Sequence, residues 1–573
     1  MRSQELRKLS PEIDPLRLSM DWTVEELDKP QVLVEDTWGD ALPGSYHLLQ
    51  LSEMVAHGVY ASGGKPALLH VTDMCDGIAQ GWEGMSYSLL SREILSNMVE
   101  IHWKSQPFDG MVLLSSCDKG LPGQLISIAR INDAPAIHVP GGVMAEGPDM
   151  FTLERVGTIS AELKRGEISK SEFRFLQRNA CPTEGCCSFM GTASTMQCMS
   201  EALGLALPTS AVMPAFKKDI RSIAEAAGKR VVEMIDEGLK TRDILTRESF
   251  DNAMMVHAAI GGSTNALLHI PTIAREVGVH IHPMKWDEIS REIPFLVNCR
   301  PSGVYPAILF SYAGGVQKII SQIKDHLNMD AMTVTGKTLG DNLKELEKTD
   351  YFSKAKRYLA SYKVKPEDVI ATANNPIGSG SLAILHGNLA PEHAVIKYSA
   401  VPKSMFQHTG PAVAFENEET VLDAIVNNKI EKGSVIIIRN QGPKGCGMPE
   451  LFYPTEALAS NEELNTTTAL VTDGRFSGAS RGPCVGYVSP EAVEGGPIAI
   501  VENGDLIEVD IPGRGLNIVG INGKKEDPDT IDSVIRDRLS RWKPPGTRYG
   551  GVLGLYTSLA TSAMKGGYIE YRK

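Results

Sequence analysis

Three short apolar runs in the first third of the chain, each closing on a polar turn, constrain the fold more than any other feature. PALLHVTDMCDG reaches Cys75, GMVLLSSCDKG reaches Cys117, and PAIHVPGG ends on two glycines. Between the first two lies SREILSNMVEIHW, whose apolar residues recur at helical spacing. Between the second and third lies PGQLISIARIN, with Pro122 near the first turn of a predicted helix. This strand–helix–strand rhythm folds as a mainly parallel sheet covered by helices. Helices continue through DMFTLERVGTISAELKRGEISKSEFRFLQRNA and TMQCMSEALGL, with the turn CPTEGCCSFMGTAS between them. FDNAMMVHAAIGGSTNALLHIPTIAREVGV is helical, with a small-residue break at Gly261, Gly262 and Ser263.

The character changes near residue 370. SVIIIRNQGPKG and TTALVTDGRFSG read as strand-then-turn units. PIAIVENGDLIEVDIPGRGLNIV places an Asn-Gly pair between apolar alternations, a hairpin signal. The expected architecture is thus an N-terminal parallel-sheet α/β domain over residues 1–370 and a β-rich, barrel-like domain over 371–573.

Charge and cysteine usage narrow the function classes. A formal net charge of -13 opposes phosphate backbones and anionic lipid, so neither a nucleic-acid nor a membrane partner is expected. No window approaches the ~18 consecutive apolar residues of a membrane span. The opening MRSQELRKLSPEID lacks the apolar core of a signal peptide, and a cytoplasmic location is expected. Nine cysteines in such a chain suggest reduced thiols rather than a disulfide framework, and turn attention to metal or cluster ligation.

Cys75 and Cys117 fall just past two predicted parallel strands, where open α/β sheets bind ligands. Each precedes an aspartate, Asp76 and Asp118. A carboxylate raises a thiol's pKa and disfavours a nucleophile, so the pairing suits a metal site, or else two small buried side chains. Cys181, Cys186, Cys187 and Cys198 cluster without zinc-finger spacing, which fits iron–sulfur ligation better than structural zinc. Asp76, Asp118 and Glu450 offer hard oxygens for Mg²⁺. Lys119 beside them has no lone pair as an ammonium; it is either a salt-bridge partner or a modified residue. Ser477 in TDGRFSGAS is a turn serine or a ligand-facing one, and it is not a Gly-x-Ser-x-Gly elbow.

Taken together, MCDGIAQGWEGMSYSLLSRE, FDGMVLLSSCDKGLPGQLISIAR, GCCSFMGTASTM, IGGSTNALLH, LAILHGNLAP, GPKGCGMPE and TDGRFSGASRG give the chain its resemblance to a family. Over essentially its whole length it resembles the dehydratases that include dihydroxy-acid, 6-phosphogluconate and sugar-acid dehydratases. The resemblance implies an iron–sulfur cluster, a Mg²⁺ ion, and a homodimer or homotetramer with the site between domains. Carried over by motif, Cys117 and Cys187 match cluster ligands, and Asp76, Asp118, Glu450 and a carbamylated Lys119 match magnesium ligands. Ser477 matches the general base.

One position departs from the family. Where several relatives carry a first cluster cysteine in a Thr-Pro-Cys-Asn turn, this chain has Leu42-Pro43-Gly44-Ser45. The resemblance to 6-phosphogluconate dehydratase at Met74 to Gly77 then nominates Cys75 as the replacement, with 2Fe-2S favoured over 4Fe-4S, and tilts the substrate towards sugar acids. The implied reaction is loss of water from a 2,3-dihydroxy carboxylate to give a 2-keto-3-deoxy acid. The alternative is the dihydroxy-acid dehydratase of branched-chain amino-acid synthesis; a remote one is an iron–sulfur redox protein without lyase activity.

Overall fold

A computed structural model describes residues 1–546 and 549–571. Four strands, β1 (Gln31–Asp36), β2 (Lys65–His70), β3 (Gly110–Ser115) and β4 (Ala136–Pro140), form a wholly parallel sheet in the order β2-β1-β3-β4. Two helix pairs cover it: Leu48–Ala61 with Lys218–Glu237, and Ser88–Ser105 with Gly120–Arg130. The rhythm of the sequence does not announce β1. QVLVED ends in two acids, yet all six residues are buried. Glu35 is met by His102 and Asp36 by His70, each at 2.7 Å, which satisfies carboxylates that would otherwise forbid an interior strand.

The strand order reverses between β1 and β3, and such a switch point opens a crevice at the carboxyl ends. The loop after β1 carries Gly44, and the turn after β3 carries Cys117, Asp118 and Lys119. Because β1 lies between β2 and β3, Cys75 and Cys117 do not follow neighbouring strands. It is the long turn after β2 that carries Cys75 across.

Beyond a two-stranded pair, β5 (Pro294–Phe295) with β6 (Gly378–Ser379), lies a nine-stranded sheet. Its strands are β7 (Ala383–Leu385), β8 (Ala394–Ile396), β9 (Gln407–Phe415), β10 (Val435–Ile438), β11 (Ala469–Thr472), β12 (Cys484–Gly486), β13 (Leu506–Asp510), β14 (Gly515–Ile521) and β15 (Lys524–Lys525). They run in the order β15-β14-β13-β9-β10-β11-β12-β8-β7, with β9 to β12 parallel and the flanking pairs antiparallel. The sheet curls until its far ends meet. The His386 N–H donates to Arg514 O and the Leu516 N–H to His386 O, both at 2.9 Å, just past β7 and at the start of β14. This closure is the barrel-like form expected from the alternating C-terminal segments.

The expected hairpin lies elsewhere. Asn503-Gly504 precedes β13, while β13 and β14 are joined through Ile511 to Arg514. The Asn-Gly that does turn a hairpin is Asn522-Gly523, with φ of 50° and 77°, between β14 and β15.

The largest apolar core fills the N-terminal part, and it also takes in Met448, Tyr487, Tyr556, Ala560 and Ile569 from the C-terminal part. A separate small core, Phe151, Ile159 and Ala180, knits the helices Arg155–Arg165 and Lys170–Asn179 into a peripheral pair. Among the described residues, no helix is long and apolar enough to cross a membrane.

Candidate active site

Four loops leave the carboxyl ends of parallel strands and converge between the two parts. The turn after β2 delivers Cys75 and Asp76, and the turn after β3 delivers Cys117 to Lys119. The loop after β10 delivers Glu450, and the loop after β11 delivers Arg475 and Ser477. Glu450 and Arg475 sit side by side on an isolated β-bridge.

The charged side chains form one buried cluster. Lys119 Nζ donates to Asp76 Oδ2 at 2.7 Å and stands 3.9 Å from Glu450 Oε1. Arg475 pairs with Glu450 and lies 3.8 Å from Asp76 Oδ2. Ser88 Oγ donates to Asp76 at 2.9 Å and accepts from Arg475 at 2.9 Å. Asn265 Nδ2 donates to Glu450 at 2.6 Å, and Tyr487 OH fixes the amide by donating to Asn265 Oδ1 at 2.9 Å. Asp118 accepts the Ala193 N–H at 3.1 Å; burial, then the nearby Asp76 charge, push its carboxyl up to about 7. Burial likewise pushes Asp73 up to about 7, although the Gly120 and Met74 N–H groups bind it.

A cavity of about 260 Å³ opens above this cluster. Asp76, Asp118, Glu450, Cys187 and Ser477 all line it, so five of the eight residues expected from sequence face one space. Ser477 reaches the wall because Gly478 lets two backbones touch: a Cβ there would lie 2.7 Å from Thr192 N and 2.9 Å from Gly191 C. Gly191 caps the helix Thr192–Ala202, so its positive end faces the same space.

The sulfur side is equally specific. The Cys117 thiol donates to Cys75, which lowers the Cys75 pKa and raises that of Cys117. Cys186 turns away into a polar pocket of the core, where Gln197 Nε2 donates to its sulfur at 2.9 Å. A Cβ on Gly44 would stand 3.3 Å from Cys117 Sγ.

These groups suit the implied cofactors by donor chemistry. Cys75, Cys117 and Cys187 offer soft sulfur, and Asp76, Asp118 and Glu450 offer hard oxygen. Among the described residues no three His, Cys, Asp or Glu side chains form a ready-made cage. The Lys119 ammonium stands between Asp76 and Glu450, 2.7 and 3.9 Å from their oxygens.

Several site residues are not singled out by the sequence reading. Arg475 stands two residues before Ser477 and Asn265 ends GGSTN; a charged or amide side chain amid Gly-rich turns was the available signal. Ser88 and Tyr487 give no local signal. Trp82 is not in the lining: it is exposed, and its Nε1 donates to Ile78 O at 3.0 Å.

Comparison with known proteins establishes the family. Residues 29–342 match the family described as dihydroxy-acid/6-phosphogluconate dehydratase N-terminal, and residues 368–567 match its C-terminal counterpart. A protein named dihydroxy-acid dehydratase from Caldanaerobacter subterraneus subsp. tengcongensis is 42% identical over 96% of each chain. One of the same name from Methanosarcina barkeri is 41% identical over 100% of each, and one from Methanothermobacter thermautotrophicus is 41% identical over 96% of each. With both halves matched and these relatives aligned over nearly their full length, the chain belongs to the dihydroxy-acid/6-phosphogluconate dehydratase family.

Proposed function

We propose that this dehydratase removes water from a 2,3-dihydroxy carboxylate with an apolar branched tail, giving a 2-keto acid. The observation that carries the reading is the cavity wall. Beside the carboxylates and Ser477 stand Leu153, Val156, Phe173, Phe189 and Phe452. An aldonate brings a hydroxyl on every tail carbon, and each one buried against such a wall loses its hydrogen bonds to water. A branched alkyl tail loses nothing there. The names of the relatives point the same way. The sugar-acid tilt drawn from Gly44 is therefore given up: that position faces the Cys117 sulfur and is not part of the cavity wall.

In this reading Ser477 takes the C2 proton as general base, aided by the positive end of the helix Thr192–Ala202. A cluster held by Cys75, Cys117 and Cys187, and a Mg²⁺ held by Asp76, Asp118, Glu450 and carbamylated Lys119, supply Lewis acidity when bound. Asn265 and Arg475 orient Glu450, and Ser88 orients Asp76. Carbamylation of Lys119 would turn one positive charge into a negative one, and a bound divalent cation would offset that change. Loss of the C3 hydroxyl leaves an enol that tautomerises to the keto acid. A homodimer or homotetramer belongs to the same proposal, and analytical ultracentrifugation tests it.

An anaerobic panel of branched 2,3-dihydroxy acids and five- and six-carbon aldonates tests the substrate class. The branched acids should give the higher kcat/KM. Faster turnover of an aldonate would overturn the assignment.

A further inference from the structure

Lys397 follows β8, which pairs with β12 through Ile396 and Val485. Its Nζ is sealed from solvent and has no hydrogen-bond partner among the described residues. A buried amine without a counter-charge is costly to protonate, and burial pushes Lys397 down to about 7. Such a group does nothing for stability that an apolar side chain would not do better.

Its surroundings suggest what it does. Lys397 lines a second, smaller cavity of about 20 Å³, shared with the hydroxyl-bearing Thr264, Ser477, Ser480 and Tyr487. That volume admits a single water, and these hydroxyls with the amine exceed the two to four polar partners a buried water needs. Among the described residues, Ser477 alone lines both this cavity and the substrate cavity. Ser477, whose Oγ accepts the Ala479 N–H at 3.3 Å, is thus the residue that stands between the reacting space and an isolated amine.

We infer that Lys397 acts through Ser477, taking the serine hydroxyl proton by way of one water in this smaller cavity. The O–H bond of Ser477 breaks, the water passes a proton on, and an N–H bond forms at Nζ. The products are a serine alkoxide facing the substrate cavity and an ammonium behind it. The alkoxide then accepts the C2 proton and passes it to the departing C3 hydroxyl, which leaves as water, and the Lys397 ammonium returns its proton to Ser477 through the same bridging water. Lys397 is a positioning residue, since it touches the serine's proton and never the substrate. The other titratable groups facing it do not compete near neutral pH. Burial holds His257, across from Lys397, down to about 4, and raises the Tyr487 hydroxyl and the Cys484 thiol well above their usual ranges.

The inference rests on Ser477 being the base, and a double-mutant cycle on the cluster-loaded enzyme separates the two claims. Lys397→Met should lower kcat by about 10²-fold, the lower end of general-base effects, with KM little changed. Its iron content should be unaltered and its Tm equal or higher, because an unpaired buried amine has been replaced by an apolar chain of similar length. In a Ser477→Ala background the same substitution should cost nothing further. Wild-type kcat in Lys397→Met, or an equal loss in both backgrounds, would overturn the inference while leaving Ser477 as base. Full activity in Ser477→Ala would instead remove the base assignment itself. Lys397→Gln serves as the second variant, and failure of both to fold would mark the amine as structural and overturn the inference.

Discussion

Gly44 faces the sulfur of Cys117: a β-carbon there would stand 3.3 Å from Cys117 Sγ. The position that carries a cluster cysteine in several resembling proteins therefore lies against a cysteine sulfur but brings no thiol of its own. Cys75, which accepts a hydrogen bond from Cys117, brings one.

Cys75→Ser should accordingly yield a folded protein with much less iron and little visible absorption, whereas Cys186→Ser, which alters a core thiol bonded to Gln197, should keep both. Gly44→Cys added to Cys75→Ser should restore part of the iron. Iron content and absorption after anaerobic reconstitution decide it; full iron in Cys75→Ser would refute the ligand set.

Lys119→Arg tests the carbamate. The guanidinium keeps the positive charge beside Asp76 but cannot become an anionic oxygen ligand. Mg²⁺ affinity should drop by at least about 10-fold, as for losses at metal sites, with activity falling alongside. Titration of activity against Mg²⁺ gives the answer, and an unchanged curve would mean that Lys119 is only a salt-bridge partner.

Ser477→Ala should reduce turnover by about 10²–10⁴-fold, the worth of a general base. Cluster absorption should be retained, because Ser477 is not among the proposed cluster ligands. Near-normal turnover in a cluster-loaded preparation would assign the proton to another group.

Glu491 ties pH to stability. Burial first, and then the neighbouring Asp473 charge, push it up to about 8, despite the Lys444 and Gly445 N–H groups it accepts. Between the ordinary glutamate range and pH 8 the folded chain thus holds a proton that the unfolded chain has lost. Stability should fall as pH rises through that window. Glu491→Gln should flatten the slope in thermal melts from pH 5 to 8; an unaltered slope would place its origin elsewhere.

The parallel sheet was legible because apolar runs ending in Cys-Asp are local signals. β1 was not, because its acids become tolerable only when His70 and His102 arrive from elsewhere. The hairpin was misplaced because two Asn-Gly pairs look alike until φ is known. Ser477, Asp118 and Glu450 were found through motifs. Lys397 was invisible: an IK pair after a short strand says nothing until the fold shuts its amine behind Ser477.

The peripheral helices Arg155–Arg165 and Lys170–Asn179 have a core of their own, yet Val156 and Phe173 from that pair help to line the substrate cavity. Under the proposed function, part of the tail wall and the chemistry at C2 would fall in different packing units. Val156 and Phe173 lie outside the loops that carry the charged cluster, whereas Phe189 and Phe452 stand two residues from Cys187 and Glu450. One catalytic apparatus can in this way be refitted to acids of different shape by drift in a single helical pair.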